Sequence, residues 1–417
     1  MTTINIFVFS SMSYRGFIKN RIDFIIDEFP EEVEIHYFEK PIFIDYTKIK
    51  LALLKFKDIL RPEFNTTNNN KLQLSLKGGW RNIGRIIGLK KRIGRIGIIG
   101  QLPALTFLGN ILPLYEKLDF IFRRFIIAGH INSIIQNLQE NPIILLVCHP
   151  WWSNIVKDMD YSVFCYDCSD DLKNYTIESK LLVKMQEWHA NTISKSDIVF
   201  VSSQKIASDI LRVKSSTNIK LIPNGVDAEW FYHQANHIPI PNDIEKINSP
   251  RIGYVGNIIF PWLDLNNILA VAISNPFLNF IFVGWVIDST LIEKLKGAPN
   301  IFFLGGKDYS NIPAYMKAFD VCMLPFKIED KLDSNDTLVM YEYLSLGKPV
   351  VASKIKESEK FKELIYLYED KAGFIDGIQK SLGERDETLK QRRIAVSREN
   401  TWEKRAETMI SLIINYG

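Results

Sequence analysis

A lysine, a helix start and a glutamate in the second half of the sequence could together bind a diphosphate and a neighbouring diol. Lys327 ends an apolar run and precedes a polar segment, which leads into a helical pattern beginning near Thr337. A helix start presents backbone N–H groups and the positive end of the helix dipole, which suit a phosphate. Glu342, about one and a half turns into that helix, could accept hydrogen bonds from a ribose. The spacing alone favours a solvated loop cation at Lys327 and a surface helix carboxylate at Glu342.

The first half contains polar residues that could act on an acceptor hydroxyl. His149 follows one apolar run, and Asp167, Asp170 and Asp171 lie at the end of the next. Ligands of open α/β sheets collect where parallel strands end, so these side chains are expected to face one cleft, where they could orient or deprotonate a hydroxyl group. A structural alternative stays open for each: Asp170 or Asp171 could cap the next helix, and His149 could serve only as a hydrogen-bonding group.

A series of short apolar runs supplies the elements that would position these residues. Most runs are continuously apolar, which is typical of strands buried on both faces of a parallel sheet, and segments with helical spacing separate them. The runs are 4–9, 33–38, 143–148, 163–166, 198–202, 219–222, 251–256, 280–284, 301–305, 321–325, 349–352 and 365–368. Because strand and helix alternate in both halves, the sequence predicts an α/β protein with two doubly wound domains in tandem.

Length and composition agree with this organisation. The chain has 417 residues, of which 47% are hydrophobic and 24% charged, as in globular proteins. At roughly 150 residues per domain, two or three domains are expected. Prolines at 239, 241 and 250 forbid a regular helix or a central strand, so the domain boundary is predicted within 223–250.

Several classes of protein are excluded. The formal net charge of +3 argues against a protein that coats nucleic acid. Glycines 94, 97 and 100 have the wrong spacing for a dinucleotide-binding loop, and Lys307 is followed by Asp308 rather than by the Ser or Thr of a phosphate-binding P-loop. A hydride-transferring dehydrogenase and a P-loop NTPase are therefore excluded.

The sequence also gives expectations about the protein's compartment and about metals. No apolar run reaches the roughly 18 residues of a membrane-spanning helix. The first residues lack the positive charge and cleavage site of a signal peptide, so a cytoplasmic location is expected. Cys165 and Cys168 form an isolated C-x-x-C pair, which we interpret as reduced core cysteines rather than as a metal site.

One basic stretch, residues 64–115, interrupts the alternation of strands and helices. It contains no Asp or Glu and eight Lys or Arg residues, with Trp80 and several isoleucines interleaved among them. It can be interpreted as a solvated excursion between strands. It can also be interpreted as a surface for anionic lipid headgroups or for an acceptor that carries a pyrophosphate.

An ordered series of motifs resembles a known family. The motifs are those at 221–227, 251–257, 303–305, 312–315, 320–327 and 341–352, with further similar segments at 148–151 and 166–171. Together they resemble glycosyltransferase family 4, and within it the bacterial envelope-polysaccharide enzymes of the teichuronic acid glycosyltransferase type. The resemblance is good over residues 143–402 and hardly extends to the basic stretch.

The resemblance implies the GT-B fold, in which two Rossmann-like domains face each other across a cleft and the C-terminal helix crosses back to the first domain. We expect an acceptor domain at 1–230, with 400–417 packing back on it, and a donor domain at 248–399. The donor would be a UDP- or GDP-linked sugar, and the acceptor a glycan or a polyprenyl-linked glycan. No cofactor and no metal are expected.

The resemblance also implies roles for residues of the donor domain. Family members carry a pair of glutamates, and Glu342 matches the second, which contacts the ribose. Ser334 stands where the first, sugar-facing glutamate belongs. No lysine or arginine follows the first strand of the second half, so Lys327 is the expected phosphate cation. Residues expected to approach the diphosphate through their backbone are Gly256, Asn257, Thr337 and Leu338, and the segment from Gly305 to Lys307 is expected to border the base pocket.

We therefore expect a hexosyltransferase-type enzyme of bacterial surface-polysaccharide synthesis that retains anomeric configuration. It would work at the inner face of the cytoplasmic membrane, with the basic stretch as a peripheral contact. Three alternatives remain open. They are a GT-B nucleotide-sugar epimerase, a catalytically silent GT-B scaffold, which Ser334 keeps open, and a two-lobed solute-binding protein.

Overall fold

The computed structural model describes most of the chain outside the basic stretch. The described residues are 4–10, 21–39, 43–44, 90–93, 96–99, 104–105, 129, 131, 134–136, 138, 141–156, 159–171, 179–258, 262–286, 295, 297–328 and 336–416. Ser334 and most of the basic stretch lie outside them, so the expectations for those residues stay predictions.

The first half of the chain forms an eight-stranded sheet in the order β10-β9-β8-β7-β1-β2-β5-β4. All neighbouring strands are parallel except β4 and β5, which are antiparallel. The strands are β1 Ile4–Ser10, β2 Val33–Glu39, β4 Lys90–Ile93, β5 Ile96–Ile99, β7 Ile143–Val147, β8 Val163–Cys168, β9 Ile198–Val201 and β10 Ile219–Leu221. A separate two-stranded sheet pairs β3, Phe43–Ile44, with β6, Ala104–Leu105.

Both faces of the first sheet are covered. Alternate residues of β1 belong to different core clusters, with Ile6 and Val8 on one face and Phe7 and Phe9 on the other. Burial on both faces is what the continuously apolar runs predict.

The second half forms a six-stranded sheet in the order β13-β12-β11-β14-β15-β16, with all pairs parallel. Its strands are β11 Arg251–Val255, β12 Asn279–Val283, β13 Ile301–Gly305, β14 Val321–Leu324, β15 Val350–Ser353 and β16 Tyr366–Tyr368. All twelve apolar runs of the sequence analysis overlap one of these strands or a strand of the first sheet. The predicted architecture of two doubly wound α/β units is confirmed.

Helices cover the sheets and begin at residues suited to capping. Asp227, Asp264, Asp370, Asp386 and Thr401 each accept a hydrogen bond from the first turn of the helix that they precede. The helices are α1 Arg21–Asp27, α2 Ser153–Val156, α3 Ser179–Lys195, α4 Gln204–Val213, α5 Ala228–His237, α6 Asn242–Glu245, α7 Leu265–Ser274, α8 Ile312–Ala318, α9 Leu338–Ser345, α10 Lys356–Glu359, α11 Lys371–Gly383, α12 Glu387–Glu399 and α13 Trp402–Ile414. Single turns of 3₁₀ helix lie at Pro150–Trp152 and Tyr309–Asn311.

The last helix, α13, packs on the first sheet. The indole of Trp402 stacks on the ring of Phe24 in α1, with ring centroids 5.0 Å apart and an interplanar angle of 3°. Met409 and Ile413 of α13 belong to the same buried cluster as Ile6 of β1. The prediction that the C-terminal helix returns to the first domain is confirmed.

The pair β4 and β5 falls inside the basic stretch, where no strand was predicted. This pair extends the edge of the first sheet through pairing of β5 with β2. Strand β4 contains two lysines and an arginine, so a search for apolar runs does not detect it. Lys is nevertheless common in edge strands, because it discourages pairing with other chains. Within the described part of the chain, no helix is both long and apolar enough to cross a membrane.

Candidate active site

The order of the second sheet reverses direction between β11 and β14, and the crevice at such a point is where open α/β sheets bind ligands. Gly256 and Asn257 directly follow β11, and Lys327 follows β14. The two segments are tied together, because the backbone N–H of Lys327 donates to the carbonyl of Trp262 at 2.8 Å. The structure therefore brings these three predicted donor-site residues to one crevice.

Glycine backbone lines this crevice. Gly256 has φ +142° and Gly284, which follows β12, has φ +153°. A Cβ atom at position 284 would lie 1.8 Å from the carbonyl oxygen of Gly256, so no side chain fits between the ends of β11 and β12. Gly305, at the end of β13, accepts a hydrogen bond from the N–H of Gly284 at 3.0 Å. Nothing lies within 4 Å of a Cβ atom built at Gly305, so a ligand can approach the backbone closely there, whereas the hydroxyl of Tyr254 fills the corresponding space at Gly256.

The start of helix α9 lies between the two domains. Thr337 and Leu338 are partly buried, and the Leu338 side chain packs against the core cluster of the first sheet. The side chain of Thr337 does not cap the helix. The N-terminal turn that was predicted to hold phosphates is thus placed at the junction of the domains.

Glu342 is buried in α9, with 3% of its surface exposed. Its Oε1 accepts a hydrogen bond from the hydroxyl of Tyr309 at 2.9 Å. Burial raises the pKa of the Glu342 carboxyl to about 8, although the Tyr309 hydrogen bond lowers it. The carboxylate predicted to hold a ribose is therefore covered by a tyrosine that the sequence analysis did not select.

Tyr309 also belongs to an aromatic cluster that spans the domains. Its ring stacks on Trp230 at 5.4 Å with an interplanar angle of 4°, and its centroid lies 5.5 Å from that of Phe24. Phe24 belongs to α1 of the first domain, and Tyr309 to the loop after β13. Movement of one domain relative to the other would thus disturb the cover of Glu342.

Asp336 joins the segment after β10 to the start of α9. Its Oδ2 accepts from the backbone N–H of Asn224 at 2.5 Å, and its Oδ1 accepts from the hydroxyl of Tyr341 at 3.0 Å. Lys360 forms an ion pair with the same carboxylate. Burial lowers the pKa of Lys360, but Asp336, Tyr341 and Glu357 together outweigh this effect, so the pKa is raised. Asp336 is itself only 5% exposed, and both of its carboxylate oxygens have partners.

Asp167, one of the predicted acceptor-site residues, is buried beside Arg21. The Nε of Arg21 donates to the two Asp167 oxygens at 3.3 and 3.4 Å, and its Nη1 donates to Oδ1 of Asn224 at 3.3 Å. Asp167 is 2% exposed. This environment favours a structural role for Asp167, because the guanidinium of Arg21 occupies both of its carboxylate oxygens.

The other acceptor-side candidates follow two adjacent parallel strands. His149 follows β7, and Asp170 and Asp171 follow β8. The Nδ1 atom of His149 accepts from the backbone N–H of Trp151 at 3.2 Å, which caps the 3₁₀ turn and accords with the structural alternative for this residue. Asp170 is exposed and Asp171 partly exposed, so these two carboxylates are the accessible ones.

The sequence analysis missed four residues of this region. Arg21 and Tyr309 stand in no motif, and their contacts reach residues far away in the sequence. Asp336 could have been noticed as an acidic residue just before a helix start. Trp285 could have been noticed as an aromatic residue directly after a strand-ending glycine.

The four cysteines form no disulfide, and burial raises the pKa of the Cys165 and Cys168 thiols. Across the described ranges, no group of three or more His, Cys, Asp or Glu residues could hold a metal ion.

Comparisons with known proteins bear on the same region. Residues 249–384 match the family model for glycosyl transferases group 1. A putative teichuronic acid biosynthesis glycosyltransferase, TuaH of Bacillus subtilis (strain 168), is 28% identical over 257 residues. That match covers 57% of this chain and 63% of the relative, so the chain matches less than two thirds of the relative's length.

Solved structures resemble the whole described architecture. Sucrose-phosphate synthase from Thermosynechococcus elongatus has a TM-score of 0.65 at 14% identity, covering 99% of this chain and 98% of that one. A trehalose-6-phosphate protein from E. coli, bound with UDP-2-fluoro glucose, has a TM-score of 0.65 at 10% identity and 98% coverage of both chains. Anabaena Alr3699/HepE, in complex with UDP and glucose, has a TM-score of 0.57 at 16% identity and full coverage of both chains.

These observations define the class of protein. The two doubly wound domains, the helix that returns from the second to the first and the structural likenesses establish the GT-B fold. In sequence, residues 249–384 of the second domain resemble the glycosyl transferases group 1 family.

Proposed function

We propose that the protein transfers a sugar from a nucleotide-diphosphate donor to a glycan or lipid-linked glycan acceptor. The observation that supports this proposal is that Gly256 follows β11 while Lys327 and the start of α9 follow β14, the two strands that border the crevice of the second sheet. That crevice belongs to the domain that matches group 1 glycosyltransferases, and α9 begins at the junction with the other domain. The likeness to structures described with UDP or a UDP sugar supports a nucleotide donor.

The proposed chemistry depends on stabilising the departing diphosphate. Transfer of a glycosyl group builds negative charge on that diphosphate, and fixed positive groups aimed at it lower the barrier. Lys327 supplies the charge, and the first turn of α9 supplies backbone N–H groups at Thr337 and Leu338. Glu342 binds the ribose after Tyr309 has moved. Closure of the domains excludes water and so suppresses hydrolysis of the donor.

The acceptor hydroxyl is assigned to the first domain. Asp170 and Asp171 are the proposed orienting or deprotonating groups, because they are accessible at the end of β8. His149 remains a candidate although its Nδ1 accepts from Trp151, and Asp167 is the weakest candidate because Arg21 holds it.

The biological setting is proposed from the teichuronic acid relative. In this setting the enzyme builds a bacterial surface polysaccharide, transfers a hexose with retention of configuration and needs no metal ion. It works in the cytoplasm and contacts the inner face of the membrane through the basic stretch, from which β4 contributes two lysines and an arginine at the sheet edge.

The test is nucleotide-dependent thermal stabilisation, since a ligand that binds the native state raises the melting temperature. UDP or GDP at millimolar concentration should raise the melting temperature of the wild type, and Lys327→Ala should abolish the shift. Lys317→Ala is the matched control, because Lys317 is an exposed cation at the end of α8. If no nucleoside diphosphate stabilises the wild type, the donor site is wrongly assigned.

A catalytically silent GT-B subunit is the second candidate, and the burial of Glu342 beneath Tyr309 favours it. The two candidates differ in turnover. A silent subunit would bind the nucleotide but would release no nucleoside diphosphate from any nucleotide sugar, with or without a glycan acceptor.

A further inference from the structure

Trp285 places a large aromatic side chain at the ligand-binding edge of the second sheet. It follows Gly284 at the end of β12, and 46% of its surface is exposed. Its backbone is fixed, because its carbonyl accepts from the N–H of Ile258 at 2.8 Å. An exposed tryptophan on a fixed backbone is well suited to stack on a planar ligand.

The indole lies directly on the backbone of the neighbouring strand end. A Cβ atom built at Gly306 would lie 2.1 Å from Cε2 and 2.4 Å from Nε1 of Trp285. Only glycine at this position allows the ring to reach its observed place. The ring therefore extends from the end of β12 across the end of β13, and the glycines at 284 and 305 leave the edge beside it without side chains.

Trp285 lies at the same edge of the sheet as the proposed donor site, on the side of β12 and β13. Lys327 follows β14, and β11 and β12 are the next two strands, so the end of β12 lies about 10 Å from that of β14. The loop after β13 runs from Gly306 to Tyr309, whose hydroxyl contacts Glu342. Tyr309 is three residues further along the chain than Gly306, a separation of at most about 10 Å. A nucleotide whose diphosphate is at Lys327 and whose ribose is near Glu342 thus has its base within reach of the indole.

We propose that Trp285, seated on Gly306, is the stacking platform for the base of the donor nucleotide. The inference rests on the proposed function, since it assumes a diphosphate at Lys327. Every nucleobase has a π face, so stacking contributes to affinity without choosing the base, which hydrogen bonds to the strand ends must do.

The test compares ligands with and without a base on the full-length protein. Calorimetry with UDP or GDP, whichever binds the wild type, should show Trp285→Ala binding about tenfold or more weakly, and Trp285→Phe retaining most of the affinity. Inorganic pyrophosphate, which has no base, should bind the wild type and Trp285→Ala alike. Phe277→Ala, which removes an exposed aromatic ring before the opposite end of β12, should leave the affinity unchanged.

A second variant changes Gly306, on which the indole lies, rather than the indole itself. Gly306→Ala keeps the indole but must displace it, so nucleotide affinity should fall while pyrophosphate affinity does not. Equal binding of the nucleotide by wild type and Trp285→Ala would overturn the inference and leave the proposed function intact. A Trp285→Ala effect confined to the acceptor KM would also overturn it. Absence of any nucleotide binding by the wild type would instead overturn the proposed function.

Discussion

The hydroxyl of Tyr309 donates a 2.9 Å hydrogen bond to Oε1 of Glu342, and this bond joins the loop after β13 to helix α9. It occupies the carboxyl group to which the resemblance assigns a ribose. Tyr309 also lies between Trp230 and Phe24, so its position depends on both domains. The structure therefore represents a state in which Tyr309 covers Glu342, the residue proposed to bind the ribose. Nucleotide binding must compete with this contact.

We predict that Tyr309→Phe will bind the nucleoside diphosphate severalfold more tightly than the wild type. The substitution preserves the aromatic stacking but removes the hydroxyl that competes with the ribose for Glu342. The same variant should lose about 1 to 2 kcal/mol of unfolding free energy, because the buried carboxyl loses its hydrogen-bond donor. Calorimetric titration and urea unfolding measure the two effects.

Tyr366→Phe is the matched control, since Tyr366 donates to Oε2 of Glu384 at 2.9 Å on the side of the second domain near α12. It should change stability without changing nucleotide affinity. Weaker nucleotide binding by Tyr309→Phe would mean that the tyrosine hydroxyl helps to bind the ligand and does not compete with it.

The second prediction concerns the dependence of stability on pH. The pKa of Glu342 is about 8 in the folded protein against an ordinary value of 4.5. The folded protein then binds more protons than the unfolded chain between these values, so the free energy of unfolding falls as pH rises from about 4.5 to about 8. Glu342→Gln should remove this part of the decline. The unfolding free energy of the variant minus that of the wild type should therefore be larger at pH 9 than at pH 5.

Glu359→Gln serves as the control for that measurement, because Glu359 is an exposed carboxyl in α10. Its unfolding free energy should follow the wild-type pH dependence. Parallel pH profiles for wild type and Glu342→Gln would show that Glu342 ionises normally in the folded protein.

Much of the fold could be predicted because its strands are buried on both faces. Strands such as β7 and β9 consist of continuous apolar residues, and burial leaves them few alternatives. Strand β4 could not be predicted in this way, because its Lys-Lys-Arg-Ile sequence is that of an edge strand. Its pairing with β5 depends on the sheet that is already present.

The candidate site could be predicted only in part. Gly256 and Lys327 follow predicted strands, so the topology of a doubly wound sheet brings them to one edge. The cover of Glu342 by Tyr309 depends on how the loop after β13 folds back, and the ion pair of Arg21 with Asp167 depends on how α1 packs. Neither contact has a signature in the local sequence.

The third prediction is that Asp336→Asn will destabilise the protein by about 1 to 2 kcal/mol. The amide preserves the shape of the side chain but removes the carboxylate that pairs with Lys360, which keeps its other ion pair, with Glu357 at 2.9 Å. It also weakens the hydrogen bond from the N–H of Asn224, which ties α9 to the segment after β10. Urea unfolding measures the loss.

Asp376→Asn provides the comparison, since it breaks an exposed ion pair with Lys380 in α11. Surface pairs contribute little, so this variant should unfold close to the wild type. Equal stability of the Asp336 and Asp376 variants would show that Asp336 is no more important than a surface carboxylate.

The last prediction separates the acceptor-side carboxylates by role. Asp167→Asn should lower the unfolding free energy by about 3 kcal/mol, because Arg21 would remain buried without its partner. Asp170→Asn and Asp171→Asn should unfold like the wild type, because both residues are accessible.

Turnover should show the opposite ranking. If Asp170 or Asp171 acts on the acceptor hydroxyl, its asparagine variant should lose about a hundredfold or more in kcat, a typical contribution of a general base. The residual, correctly folded fraction of Asp167→Asn should keep a kcat near that of the wild type. The measurement is release of nucleoside diphosphate at saturating donor and acceptor, normalised to the folded fraction. A folded Asp167→Asn protein without activity, beside active Asp170 and Asp171 variants, would transfer the acceptor role to the buried aspartate.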